Sequence, residues 1–120
     1  MTKLTYHNLI EQLKKRVPEF TDFQEEEAES LILFGSLVHY LIDNAGNEEV
    51  IQKAADFISD MAELDDLDVK MLLEDVFINI YSLFEERNIP AVIITDKLRP
   101  GAKARYNEVI AFWLRANNQT

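Results

Sequence analysis

The chain has no cysteine, and only three glycines and three prolines in 120 residues. Without cysteine there are no disulfides and no thiolate chemistry, and the redox compartment leaves no trace. So little Gly and Pro argues against an architecture of many short strands and turns, and 48 % apolar residues argue against disorder. No apolar run approaches the roughly 20 residues that span a bilayer. The stretch "MTKLTYHNLIEQLKKR" holds no long apolar core and no small-residue cleavage site, so no signal peptide is expected. These absences predict a soluble, cytoplasmic protein forming one domain over residues 1–120. A chain of this size can bury a core without help from metal or disulfide.

Basic residues are scarce in the middle of the chain. The net charge is −10. Residues 1–16 carry four bases against one acid, and residues 87–120 carry six against two. Residues 17–86 therefore hold 19 acids against Lys53 and Lys70 alone, a balance of −17. Such a region repels nucleic acid and anionic membrane and attracts basic proteins.

Apolar spacing and capping residues predict five or six helices in an all-α, single-domain bundle. Thr5 caps a first helix to about Arg16, with Leu9, Ile10, Leu13 and Val17 along one side. Pro18 breaks it, and Asp22 is placed to cap a long helix through "EEEAESLILFGSLVHYLIDNA". Gly35, inside that helix, costs about 1 kcal/mol relative to Ala, which close approach of another helix would explain. Gly46 ends the helix and Asn47 caps the next, whose faces separate cleanly. Ile51, Ala54, Ala55, Ile58 and Met61 line one side; Glu49, Lys53, Asp56, Asp60 and Glu63 line the other. After the turn "DDLD", Asp66 or Asp68 caps a helix to about Arg87 with a core stripe of Leu73, Phe77, Ile80 and Phe84. Pro90 suits the first position of a short helix, "PAVIITDKL"; its β-branched run would also suit a strand, but no partner strand is evident and helix is expected. Pro100 opens a last helix.

The densest acids lie in "SDMAELDDLDVKMLLED", residues 59–75. They do not have the form of a metal site. A calcium loop needs alternating acids, a mid-loop glycine and a twelfth-position glutamate, and none of these registers fits from Asp60 or Asp65. Helical di-iron sites need Glu-x-x-His, but Ser36 precedes His39 by three and Leu4 precedes His7 by three. Catalytic company is equally lacking: there is no Cys, no nucleophile elbow and no glycine-rich phosphate loop. His39 has Asp43 one turn on, a pair that fits a partly buried histidine on a long helix better than a catalytic one. The single Pro-Gly start in "RPGAKARY" is a weak anion signal. No cofactor and no enzymatic activity are expected.

Two features set these acids apart from a merely solvated face. Like charges at (i, i+4), such as Asp56 and Asp60, are mildly destabilising, and a surface built for stability intersperses lysines. On a helical wheel Met71 and Ile78 fall beside Asp75 and Ser82, opposite the Leu73–Phe77–Phe84 stripe. Apolar residues framed by acids resemble the centre and rim of a protein interface. The competing reading buries this helix on two sides. The partner-binding surface expected from the sequence is Glu49, Asp56, Asp60, Glu63, Asp65, Asp66, Asp68, Met71, Asp75 and Ile78.

At "ESLILFGSLVHYLID", followed by the acidic helix pair and "ITDKLRPGAKARYNEVI", the chain resembles a bacterial family of small all-helical proteins. That family includes immunity proteins of polymorphic toxin and contact-dependent growth inhibition systems. The likeness spans residues 25–112 and rests on an acidic stretch leading to Phe34–Gly35 and on the turn from Leu98 to Lys103. It implies a non-enzymatic inhibitor of a basic cognate toxin domain, such as a ribonuclease or other nuclease. A nuclease needs a basic groove for its polyanion, which a region of −17 is suited to meet. The alternatives are an acidic adaptor or nucleic-acid mimic acting on a DNA-binding protein, or a small-molecule-binding protein or enzyme with a pocket near His39, Tyr40 and Trp113.

Overall fold

The computed structural model describes residues 4–18 and 30–117. A 3-10 turn at Tyr6–Asn8 leads into α1 (Leu9–Arg16). Then follow α2 (Ser30–Asp43), α3 (Glu48–Ala62), α4 (Leu67–Glu86), α5 (Val92–Thr95) and α6 (Pro100–Asn117). The expected all-α bundle is observed, with six α-helices among the described residues. The cap expected at Asp22 lies outside those residues.

Local chemistry sets most of the helix ends. Thr5 Oγ1 accepts from the Asn8 N–H at 3.3 Å, and Asn8 Oδ1 accepts from the Thr5 N–H at 2.7 Å. The Asn8 N–H also reaches the Thr5 carbonyl at 3.2 Å, so the first turn is the tighter 3-10 form and α1 proper begins later than expected. Asn47 Oδ1 caps α3 through the Val50 N–H at 3.3 Å. Of the two candidate caps for α4 it is Asp66, accepting from Asp68 and Val69 N–H groups at 2.9 and 3.2 Å. The other end of α4 closes on Asn88, whose φ of 59° lies in the left-handed region. The Ile89 N–H returns to the Phe84 carbonyl at 2.8 Å and the Asn88 N–H to Glu85 at 3.0 Å, a Schellman closure.

Helix α4 is the centre of the bundle and packs against α2, α3 and α6. Val69, Leu72, Leu73, Val76, Phe77, Ile80 and Phe84 are its buried positions. Phe77 meets Tyr106 of α6 edge-on with centroids 5.3 Å apart, and Phe34 of α2 stacks on Phe57 of α3 at 6.3 Å. Burial pushes the Tyr106 phenol up to about 12, so it stays neutral in the core at ordinary pH.

One expectation is corrected here, and the helix expected after Pro90 is observed in shorter form. A Cβ added at Gly35 would have no neighbour within 4 Å among the described residues, so close approach of a described helix does not account for this glycine. The segment after Pro90 is one helical turn, Val92–Thr95, which starts two residues beyond the proline. The described residues contain no strand for it to pair with, and Ile94 and Thr95 are buried in a segment packed against α3.

Candidate functional site

The acidic cluster divides into two parts with different duties. The first lies on α3, where Asp56, Asp60 and Glu63 recur at four- and three-residue spacing and so share a face. Asp60 sits between two arginines from distant parts of the chain. A guanidinium nitrogen of Arg16, at the end of α1, stands 2.5 Å from Oδ2, and Arg99 Nη2, just before α6, hydrogen-bonds Oδ1. Arg99 also reaches Glu63 Oε2 at 3.5 Å, and its backbone N–H donates to the buried Ser59 hydroxyl at 3.1 Å. Arg16 lies over the Phe57 ring at 5.2 Å, a cation–π contact. Partial burial pushes the Asp60 carboxyl up, but hydrogen bonds from Arg99 and Arg16, with their charges, outweigh it and hold it below the usual carboxylate value. The bond to Asp60 in turn raises the Arg99 guanidinium, aided by the charges of Glu63 and Asp56.

The like-charge repulsion expected along α3 is therefore answered within the fold. Asp56 also accepts from Gln52 Nε2 at 2.9 Å, and Glu49 pairs with Lys53 at 3.5 Å. The basic ends of the sequence fold back onto its acidic middle. In the turn that follows, Asp65 pairs with Lys70 at 3.0 Å and Asp66 spends its carboxylate on the α4 cap.

The second part is the outer stripe of α4. Asp68, Met71, Asp75 and Ile78 recur at three- and four-residue spacing, so they line one face of the helix. Asp68 and Asp75 are exposed, and neither carboxylate has an ion-pair partner among the described residues. Met71 is 57 % exposed, and Ile78 is half-buried, with its inner side against the core. The packing of α4 against α2, α3 and α6 matches the reading that buries it on more than one side. The helix is central and flanked on several sides, yet it keeps one acid-and-apolar stripe outward.

Helix α6 extends that stripe into a groove. Glu74 meets Arg105 at 3.3 Å, Phe77 meets Tyr106, and Tyr81 meets Trp113 edge-on at 5.9 Å, so α4 and α6 run in the same direction. Between them lies a groove of about 490 Å³, with Ile78, Val109, Phe112 and Trp113 as its apolar lining. Phe112 is 67 % exposed. Sequence reasoning missed it, although a wheel finds it: it falls two residues past Ile110, well off the α6 core stripe of Ala102, Tyr106, Val109 and Ile110. Two other clefts are of similar size, one beside Arg16 and Asp60 and one between Gly46 and α5. Size therefore does not distinguish them. The α4–α6 groove differs in its exposed aromatic Phe112, and its charged lining balances, Glu74 and Glu108 against Arg105 and Arg115.

His39 is exposed on α2 and makes no bond to Asp43 among the described residues. Trp113 is packed on Tyr81 in the groove wall. Among the described residues no three His, Asp or Glu side chains are grouped to hold a metal ion, and no helix is long and apolar enough to cross a membrane. A family model described as a domain of unknown function (DUF7674) matches residues 10–114. No curated protein and no solved structure matches the chain.

Proposed function

The chain belongs to the DUF7674 family, a membership that assigns no activity, and we propose from its own geometry that it is a non-catalytic, cytoplasmic binding protein for a basic protein partner. The observation behind this reading is the outer stripe of α4, where unpaired Asp68 and Asp75 alternate with exposed Met71 and half-buried Ile78. Exposed carboxylates steer a basic partner toward the surface, and apolar side chains beside them slow its departure. Asp60 and Glu63 serve this surface indirectly, by tying α3 to α1 and to the start of α6. Glu49, Asp56, Asp65 and Asp66 add to the negative field of the acidic region as a whole.

In its specific form the proposal is an immunity protein that neutralises a cognate nuclease toxin by covering basic surface the toxin needs for its nucleic acid. The resemblance of residues 25–112 to that class and the −17 balance of the central region support it. The test is co-purification with the product of the adjacent gene, followed by a nuclease assay with and without this protein. A stable complex and loss of nuclease activity are expected. A neighbouring nuclease that neither binds nor is inhibited would sink the toxin reading.

A further inference from the structure

We infer that the cleft between α1 and the end of α3 binds a small, neutral molecule carrying a primary carboxamide or a ring lactam, held by the side-chain amide of Gln12. Gln12, Lys15 and Arg16 recur at three- and four-residue spacing on α1, and Asp60, Glu63 and Leu64 recur in the same way at and just past the end of α3. The two helices pack together, and these faces border a cleft of about 480 Å³, within the size range of small-molecule sites. Gln12 is only 9 % exposed, yet its side-chain amide makes no hydrogen bond among the described residues. Among those residues Arg99 Nε is the unbonded side-chain atom sealed from solvent, so the Gln12 amide stays open to the cleft that it lines. A buried amide without a partner gives up hydrogen bonds it would make in water. An occupant of the cleft that restores them is favoured.

Charge and shape narrow the occupant. Each ionised group of the wall is matched inside the fold: Lys15 by Glu11 at 3.3 Å, Arg16 by Asp60 at 2.5 Å, and Glu63 by Arg99 at 3.5 Å. A charged ligand therefore finds no unpaired counter-charge among the described residues of the wall, and the amide is the group still lacking a partner. Whichever way that amide is turned, it presents a donor and an acceptor side by side. The complementary edge is an N–H and a C=O on the same side of one group, as in a primary carboxamide or a lactam ring. A trans peptide bond holds them on opposite sides, which sets polypeptide backbone apart. Leu4 is buried and Leu64 half-buried, so the rest of the molecule meets apolar wall. The cleft shares no residue with the α4 stripe, so this inference and the binding proposal fail separately.

The experiment titrates the full, isotopically labelled chain with benzamide, an open carboxamide, and with uracil, a ring lactam, and follows backbone and side-chain amide resonances. Matched controls are N,N-dimethylbenzamide and uracil methylated at both nitrogens, which keep the carbonyls but have no N–H. Shifts are expected at the Gln12 side-chain amide and at Leu64, with at least one probe binding about tenfold more tightly than its methylated control. Binding by one probe alone tells which source of the amide edge the cleft takes. Gln12→Met, close in volume, is expected to abolish the preference for the unmethylated probe while the helical circular dichroism is kept. The wild-type comparison of probe with control decides by itself where that variant is unstable. Equal binding of probe and control, shifts that bypass Gln12, or a preference that survives in Gln12→Met overturns the inference. So does the absence of shifts from both probes up to their solubility limits, which leaves water as the occupant.

Discussion

Asp60 and Arg99 lie 39 residues apart in the chain and are joined by a charge-assisted hydrogen bond, with Arg16 closing on the other carboxylate oxygen at 2.5 Å. One carboxylate thus holds the end of α1, the last turn of α3 and the entry to α6 together. Removing its charge while keeping its shape, with Asp60→Asn, is expected to lower stability by about 1 kcal/mol, since the site is partly exposed. Asp60's carboxyl is lowered from its ordinary 3.8, so its contribution is complete above that value and is lost as pH falls through the lower folded-state value. Urea midpoints of wild type and Asp60→Asn should differ most near neutrality and converge below about pH 4. A gap that persists at low pH would mean that geometry, not charge, supplies the tie.

Asn88 closes α4 with a left-handed backbone, a conformation glycine adopts without cost. Asn88→Gly is expected to keep or raise the thermal midpoint, by up to about 0.5 kcal/mol in stability, and Asn88→Val to lower it by about 1–2 kcal/mol. Thermal melts of the two variants check the order.

Gly35 sits inside α2, and an added Cβ there meets nothing within 4 Å among the described residues. With no steric penalty, Gly35→Ala recovers the entropy that glycine loses on folding, about 1 kcal/mol of added stability. A loss on chemical denaturation would place an unseen neighbour against this position.

Asp68 and Asp75 are the carboxylates of the α4 stripe that no described side chain neutralises. Asp68→Asn combined with Asp75→Lys is expected to leave the fold intact. It should slow association with a basic partner by about tenfold at low salt. At 1 M salt, where the Debye length is about 3 Å, the two proteins should associate at similar rates. Stopped-flow rates across a salt series read this directly. Equal rates at low salt would show that steering arises elsewhere.

Helix positions, caps and the acidic middle were legible because they depend on neighbours in sequence. The Asn47 and Asp66 caps act over two or three residues, and the α3 and α4 stripes follow from helical period alone. The same local logic separated Met71 and Ile78 from the core stripe of α4. It had less hold on α5, because a β-branched run satisfies helix or strand until the packing around it is known.

What the acids do was decided only when distant segments met. By sequence, Asp60 and Asp75 are alike, two aspartates in acidic helices. In the folded chain Asp60 is matched by Arg16 and Arg99, while Asp75 faces water with no partner among the described residues. The groove likewise required α6 to lie alongside α4, bringing Phe112 and Trp113 to Ile78. Charge density and helical period are properties of a chain segment and can be read from it. Neutralisation and concavity belong to pairs of segments, and here the connection through α5 and the burial of α4's core face fixed which segments were paired.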